Sequence, residues 1–329
     1  MIHFLLLIVC AVAIYLSCEW FVNAVEWLGR RLNVGTIAVG TVLAAVGTAL
    51  PESVVTFVAV VFGDTPEQRD IGVGAAMGGP LALATVAYGV IGWSLLASRR
   101  RGEAEDWGDL GKLAKDQTWF VVVFVVKVGL GLVVFAFKPW LGLLFFAVYA
   151  AYCIREMRQH DDGPQDELAP LKLQRKRAAP ATWAVVAQTL GTLAVIFAAS
   201  RLFVTQLDTV GPILGLPAAL TALLLAPIAT ELPEIMNAVI WVRQGKTKLA
   251  LANVSGSMMV QATIPSGLGL LFTPWRLDGM LLVAGGVTLL AVLYLLITLR
   301  SGRLSVRRLS IAAAFYGLFA LALVPMFAA

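Results

Sequence analysis

Residues 46–52 read Val-Gly-Thr-Ala-Leu-Pro-Glu and residues 228–234 read Ile-Ala-Thr-Glu-Leu-Pro-Glu, so one short segment occurs twice in the chain. Each copy lies inside a long apolar stretch and places a proline directly before a glutamate, Glu52 or Glu234. A carboxylate at membrane depth is costly, and such residues usually mark an ion or substrate site. Two copies in matching places of two halves are typical of a transporter built from repeats.

The composition indicates a membrane protein. Of the 329 residues, 59% are hydrophobic and 14% are charged, and the mean hydropathy is +0.85. A soluble domain of this length does not need so much apolar surface, whereas each spanning helix needs roughly 20 apolar residues. The apolar runs are long and lack the two-residue alternation of a β-barrel, which favours helices. We predict an all-α membrane protein with about ten spans, at residues 2–28, 34–62, 70–97, 118–137, 139–156, 181–208, 212–243, 246–273, 277–299 and 306–327.

Basic residues divide unevenly between the loops of this arrangement. The loops after odd-numbered spans hold 20 Lys and Arg residues and the even-numbered loops hold 3, while Lys127 and Arg201 fall within spans. Because Lys and Arg accumulate in cytoplasmic loops, we predict that both termini lie outside and that the 157–180 loop is cytoplasmic. The net charge of +5 is then an orientation signal, and we expect no nucleic-acid partner. Lys127 should extend its ammonium group to the interface or pair with another group.

The chain divides into two halves that align with each other. Residues 17–63 match residues 199–245 without gaps. The polar stretch 157–180 separates the halves, which gives a first five-helix repeat at 1–156 and a second at 181–329. Because each half has an odd number of spans, the second is inserted upside down, and we predict two inverted repeats with broken helices 2 and 7.

The two broken helices supply oxygen atoms at matching depths. Proline removes a backbone N–H and clashes with the preceding turn, so both helices should kink near their repeated prolines and free carbonyl groups there. In a membrane such carbonyl groups must face a cavity or a bound cation. Together with Glu52, Glu234 and the hydroxyls of Thr48 and Thr230, they suit calcium, which takes about 6–8 oxygen ligands.

The helix that follows each break differs between the halves. In the second half, Asn253, Ser257 and Gln261 are spaced four residues apart and share one helix face, so they are candidate ligands. The matching positions of the first half carry no comparable polar group and are Ala75, Gly79 and Leu83. The second half is therefore the more polar of the two.

The repeated Thr-x-Leu-Pro-Glu segments, each followed by a helix with small residues, resemble the alpha-repeats of the cation/calcium exchanger superfamily, which includes the sodium/calcium exchangers. The chain is similar to a divergent prokaryotic-type member over nearly its whole length. The resemblance implies ten helices, alternating access, a bacterial or archaeal plasma membrane, and calcium coordination by Glu52 and Glu234. It also implies sodium coordination by nearby polar groups, at positions that include Thr48, Thr230, Ser257 and Gln261.

The chain also departs from the family pattern, which usually reads Gly-Thr-Ser-Leu-Pro-Glu and then Gly-Asn-x-x-Gly-Ser-Asn. Ala49 and Glu231 replace the two motif serines, and residues 74–80 lack both the Asn and the Ser. These losses argue against ordinary sodium coupling. Glu231 adds a third carboxylate near Glu234, and like charges in a buried site oppose simultaneous ionisation. We hypothesise that Glu231 carries a proton as the counter-ion.

Three functions remain open at this point. The first is a secondary active antiporter that moves calcium or another divalent cation against a sodium or proton gradient. The second is a sodium/proton or other cation exchanger that has lost calcium affinity, and the third is a non-transporting degenerate homologue. No HExxH, GxSxG or P-loop motif is present, so we expect no enzyme, no ATP drive and no cofactor beyond the transported cations. Cys10, Cys18 and Cys153 offer no disulfide framework or zinc spacing.

Overall fold

The computed structural model describes residues 2–63, 65–98, 107–158, 168–213 and 224–328. All regular structure among these residues is helical, which confirms the prediction of an all-α membrane protein. Three predicted regions lie outside the described residues: loop residues 99–106 and 159–167, and residues 214–223 of the predicted seventh span.

The helices follow one another in two groups. The first half forms α1 (Ile2–Leu32), α2 (Thr36–Ala38), a first π segment (Val39–Ala44), α3 (Ala45–Phe62), α4 (Pro66–Ala82), a second π segment (Leu83–Ala87), α5 (Tyr88–Ser98), α6 (Leu110–Leu132) and α7 (Leu141–Arg158). After a short 3-10 turn (Lys172–Gln174), the second half forms α8 (Thr182–Ile213), α9 (Ala226–Thr230), α10 (Leu232–Arg243), α11 (Thr247–Phe272), α12 (Gly279–Arg300) and α13 (Val306–Ala328).

Within the described part of the chain, six helices are long and apolar enough to cross a membrane, or seven if one bent pair is a single span. The bent pair consists of Thr36–Ala49 and Glu52–Phe62, whose axes differ by 46°. The bend falls at the first repeated proline, Pro51, as expected from its missing N–H and its clash with the preceding turn. The count of ten spans and the inverted orientation of the halves stay predictions.

Helix α11 lies at the centre of the protein and is buried along nearly its whole length. It packs against α3, α4, α6, α7 and the first π segment. A Cβ atom at Gly256 would lie 2.2 Å from the carbonyl oxygen of Thr41, so α11 and the first π segment touch backbone to backbone. This close packing places the polar face of α11 in the interior of the protein, away from lipid.

Helices α1 and α8 pack side by side over much of their length. The described end of the predicted linker, residues 168–180, is fastened to this pair. The backbone N–H of Lys172 donates to Asn23 Oδ1 at 2.9 Å, and that of Leu173 donates to Gln188 Oε1 at 2.8 Å. This part of the linker therefore packs on the helices through polar groups that belong to the predicted spans.

Candidate functional site

Three glutamates meet in the interior, where the two broken helices approach each other. Glu52 lies in α3 just past the bend, Glu231 occupies the turn between α9 and α10, and Glu234 lies in the first turn of α10. Their exposed fractions are 8%, 0% and 1%. Glu231 lies close enough to both other carboxyl groups for the three charges to interact. The structure therefore brings together three of the predicted site residues.

The side chain of Gln261, on α11, joins two of these carboxyl groups. Its Nε2 donates a hydrogen bond to Glu52 Oε2 and a second one to Glu231 Oε1, the latter at 2.9 Å. One neutral amide thus contacts a carboxyl group from each repeat. Because an amide brings no net charge, this contact orients the carboxyl groups without neutralising them.

Several buried polar atoms around this cluster have no hydrogen-bond partner among the described residues. They are Glu231 Oε2, Glu234 Oε2, Asn253 Oδ1, Ser257 Oγ, Gln261 Oε1 and both amide atoms of Asn237. Buried polar groups are normally paired in native proteins, and those that are not call for an explanation such as an ion. Since most of these atoms are oxygens next to carboxylates, they suit a hard cation.

The two repeat threonines lie beside the glutamates and are oriented by their own helices. The hydroxyl of Thr48 donates to the carbonyl of Ala44 at 3.1 Å, and that of Thr230 donates to the carbonyl of Pro227 at 3.1 Å. Each hydroxyl oxygen retains lone pairs that can face a cation. Asn253 is held similarly, because its Nδ2 donates to the backbone oxygen of Glu234 at 3.3 Å and its Oδ1 stays unbonded.

Gly79, on the non-polar face of α4, lies against the carboxyl cluster, which the sequence did not reveal. A Cβ atom at this position would lie 2.7 Å from Glu231 Oε1 and 3.0 Å from the Gln261 side chain. Helix α4 therefore approaches the carboxyl cluster with its bare backbone. The absence of a side chain at Gly79 contributes to the shape of the site.

Lys127 does not reach the interface, but it is paired inside the protein. Its side chain is fully buried, and no carboxylate in the described part of the chain lies within 4.0 Å of its ammonium group. Instead, Nζ donates to the backbone oxygen of Ala76 at 2.7 Å and lies 4.8 Å from the ring centre of Phe124. The Ala76 oxygen needs such a donor because Pro80, four residues later, has no N–H to offer.

The groups around the three glutamates that could bind a metal ion are mainly oxygen atoms. Among the described residues, no three carboxyl, thiol or imidazole groups converge in a way that would hold a metal ion by themselves. The unpaired hydroxyl and amide oxygens of Ser257, Asn253 and Gln261 are available to supplement the carboxylates around a cation. Calcium accepts such mixed oxygen shells, and so do other hard cations.

A family model described as "Sodium/calcium exchanger protein" matches residues 2–157 and 184–325. The chain is 24% identical over 292 residues to the "Putative antiporter CaxA" of Alkalimonas amylolytica, a match that covers 88% of this chain and 87% of that protein. It is 25% identical over 283 residues to the "Inner membrane protein YrbG" of Escherichia coli (strain K12), with 83% and 81% covered.

Solved structures share the fold. The sodium-calcium exchanger NCX_Mj soaked with 2.5 mM Na⁺ and 0.1 mM Ca²⁺ superposes with a TM-score of 0.75 at 18% identity, and 98% of this chain and 99% of that chain are covered. The same exchanger soaked with zero Na⁺ and Ca²⁺ gives a TM-score of 0.73 at 19% identity, with 98% and 97% covered. At these identities the likeness establishes the fold alone.

Proposed function

The chain belongs to the sodium/calcium exchanger family, and on this premise we propose that it is a secondary active antiporter that moves calcium, or another divalent cation, by alternating access. We propose further that it acts without a resident cofactor and has no enzymatic activity. Both termini would lie outside the cell and the 157–180 loop in the cytoplasm, in line with the distribution of basic residues.

One observation carries the choice of a divalent cation. Glu52, Glu231 and Glu234 are buried together, and the only described side chain that donates to two of them is the neutral amide of Gln261. Up to three negative charges in one buried site need positive charge from a ligand or from protons. A divalent cation supplies two such charges at once and matches the surrounding oxygen atoms.

We propose that protons serve as the counter-ion and that Glu231 takes part in carrying them. In the family, serine and asparagine of the first half would bind sodium. Here the corresponding segment has neither residue type and carries Ala75 and Gly79, so likely sodium ligands are missing from the first half. Glu231 replaces a motif serine in the second half and adds a carboxyl group that can bind a proton when the cation leaves. The exchange of a cation for protons at one set of carboxyl groups then needs no separate proton site.

A second candidate rests on the same non-polar face. Fewer oxygen donors from α4 also suit an exchanger that binds calcium poorly, because calcium takes about 6–8 oxygen ligands. Such an exchanger would trade sodium or another cation for protons. A non-transporting homologue is disfavoured because both repeated glutamates, Glu52 and Glu234, are retained.

The experiment that tests the proposal is uptake of radioactive calcium into proteoliposomes under an imposed proton gradient, and separately under a sodium gradient. Calcium uptake driven by the proton gradient, and abolished in Glu52→Gln and in Glu234→Gln, is the expected result. Asp278→Asn serves as a control, because this carboxyl group caps helix α12 at the surface, where it accepts from the backbone N–H of Leu281. Absence of calcium uptake with either gradient, together with sodium-dependent proton movement, would favour the second candidate.

A further inference from the structure

A cavity of about 400 Å³ opens at the ends of α6, α7 and α12, away from the carboxyl cluster. Besides Asp109, its walls are formed by Lys112, Lys115, Thr118, Trp119, Arg155 and Arg300. We call it the basic cavity. Four cationic side chains from three helices converge on it, although their positions in the sequence are far apart.

Within the described part of the chain, few carboxylates lie close to the cationic groups of the basic cavity. Among the described residues, no carboxylate lies within 4.0 Å of the side-chain nitrogen atoms of Lys112, Lys115 or Arg300. The one acidic residue in the wall, Asp109, uses its Oδ1 to cap α6 by accepting from the backbone N–H groups of Gly111 and Lys112. Counting only residues that the structure describes, the wall of the cavity therefore carries four cationic groups and one carboxylate.

Two buried carboxyl groups on the interior side of Arg155 neutralise its charge only in part. Its guanidinium lies 4.0 Å from Asp116 and 3.8 Å from Glu156, two fully buried carboxyl groups. These separations exceed hydrogen-bond length, and the Arg155 side chain is 26% exposed where it lines the cavity, although its Nη1 atom is buried. Arg155 can therefore donate to a ligand in the cavity while the buried carboxyl groups hold it from behind.

Two of the cationic groups are fixed in position before any ligand arrives. Arg300 Nη2 donates to the hydroxyl of Thr118 at 3.1 Å, and that hydroxyl donates in turn to the carbonyl of Ala114 at 2.7 Å. The Arg155 guanidinium lies 5.8 Å from the ring centre of Trp119. Fixed guanidinium groups lose less conformational entropy when they bind an anion.

The position of the basic cavity relative to the membrane narrows the choice of ligand. Thr118 and Trp119 begin the fourth predicted span, and Arg155 and Arg300 lie at the ends of the fifth and ninth. All four are therefore placed at the predicted cytoplasmic interface, where lipid headgroups lie and where tryptophan is enriched. Basic sites between helices at this level are suited to anionic headgroups.

We propose that the basic cavity binds the phosphate group of an anionic lipid headgroup, with Lys112, Lys115, Arg155 and Arg300 as donors. Guanidinium and ammonium groups that converge in this way favour phosphate, which accepts several charge-assisted hydrogen bonds. The cavity volume lies within the usual range of small-molecule sites, roughly 300–1,000 Å³, which leaves space for a headgroup around the phosphate. This inference does not depend on the transported cation.

The test compares two variants that each lose three positive charges from the predicted cytoplasmic face. The cavity variant is Lys112→Gln/Lys115→Gln/Arg300→Gln. The control variant is Arg175→Gln/Lys176→Gln/Arg303→Gln, whose three side chains are exposed and lie outside the cavity. Binding of short-chain phosphatidylglycerol is measured by native mass spectrometry of the full-length protein in neutral detergent, with phosphatidylcholine and inorganic phosphate as comparison ligands.

We expect the wild type and the control variant to bind phosphatidylglycerol more tightly than phosphatidylcholine. The cavity variant should lose at least about tenfold in phosphatidylglycerol affinity, because it lacks three of the four cationic groups that donate to the phosphate. If inorganic phosphate binds as tightly as the lipid, and the cavity variant loses affinity for both to the same extent, the ligand of the cavity is free phosphate and not a lipid headgroup. Equal losses in both variants, or no loss in either, would overturn the proposal. A thermal melt of each variant without lipid confirms that both are folded.

Discussion

The Nε2 atom of Gln261 donates a hydrogen bond to the carboxylate of Glu52, and these two residues lie 209 positions apart in the sequence. The contact links α11 of the second half to the bent helix of the first half. The same nitrogen also donates to Glu231, so a single amide holds carboxyl groups of both repeats in one buried cluster. Because the amide carries no charge, the cluster stays negative until it gains protons or a cation.

Substitution of Glu231 by glutamine should remove much of the pH dependence of transport. The change retains the size of the side chain and deletes the carboxyl group that, in this account, binds the counter-ion proton. We expect calcium uptake by Glu231→Gln proteoliposomes to vary little between pH 6 and pH 8, whereas wild-type uptake should change about tenfold. Initial uptake rates at clamped internal pH measure this. An unchanged pH profile in the variant would remove Glu231 from the proton pathway.

Gly79→Ala should weaken cation binding, because the added Cβ atom would lie 2.7 Å from Glu231 Oε1. Overpacking of this kind costs about 1–3 kcal/mol, which corresponds to roughly 5- to 150-fold in affinity. Isothermal titration with calcium measures the change. Gly74→Ala in the same helix is the matched control, since a Cβ atom there has no neighbour within 4 Å. Equal calcium affinities of the two variants would show that α4 does not shape the site.

Lys127→Met should lower the stability of the protein by about 1–3 kcal/mol, because it leaves the backbone oxygen of Ala76 buried without a donor. The loss should be smaller when Pro80→Ala is also present, since alanine restores the N–H that α4 lacks at that position. Unfolding in a denaturing detergent, measured for both single variants and the double variant, provides the coupling energy. Strict additivity of the two changes would contradict this explanation of the buried lysine.

Gly256→Ala should also destabilise the protein, because the new methyl group would lie 2.2 Å from the carbonyl oxygen of Thr41. The expected cost is about 1–3 kcal/mol, as for other overpacked positions. Gly191→Ala is the control, because a Cβ atom there meets nothing within 4 Å and alanine favours a helix. Thermal melting of the purified variants checks the difference, and a variant Gly256→Ala as stable as the control would argue against backbone contact at this position.

The two helix interruptions could be predicted from the sequence, because they depend on prolines and their immediate neighbours. The bend at the first repeated proline and the helix junction at Glu231 follow from the missing N–H of Pro51 and Pro233, which depends on neighbouring residues alone. The same rule applied to Pro80 predicts that the backbone oxygen of Ala76 lacks its helical N–H partner. Only the structure shows that Lys127 donates to this oxygen instead.

Contacts between distant helices could not be predicted in this way. The bridge from Gln261 to Glu52 depends on how α11 lies against α3, and a single sequence contains no distance between them. The role of Gly79 was missed for a related reason, because a residue without a side chain shows its importance only when its neighbours are known. The positions of the four cations around the basic cavity likewise depend on the packing of three helices.

Proton release upon calcium binding tests the central claim most directly. Calcium is added to purified protein in weakly buffered solution at neutral pH, and the released protons are counted with a pH indicator. If calcium and protons compete for the cluster of Glu52, Glu231 and Glu234, the wild type should release protons in proportion to bound calcium, and Glu231→Gln should release fewer. Calcium binding without proton release in the wild type would contradict calcium/proton exchange at this site.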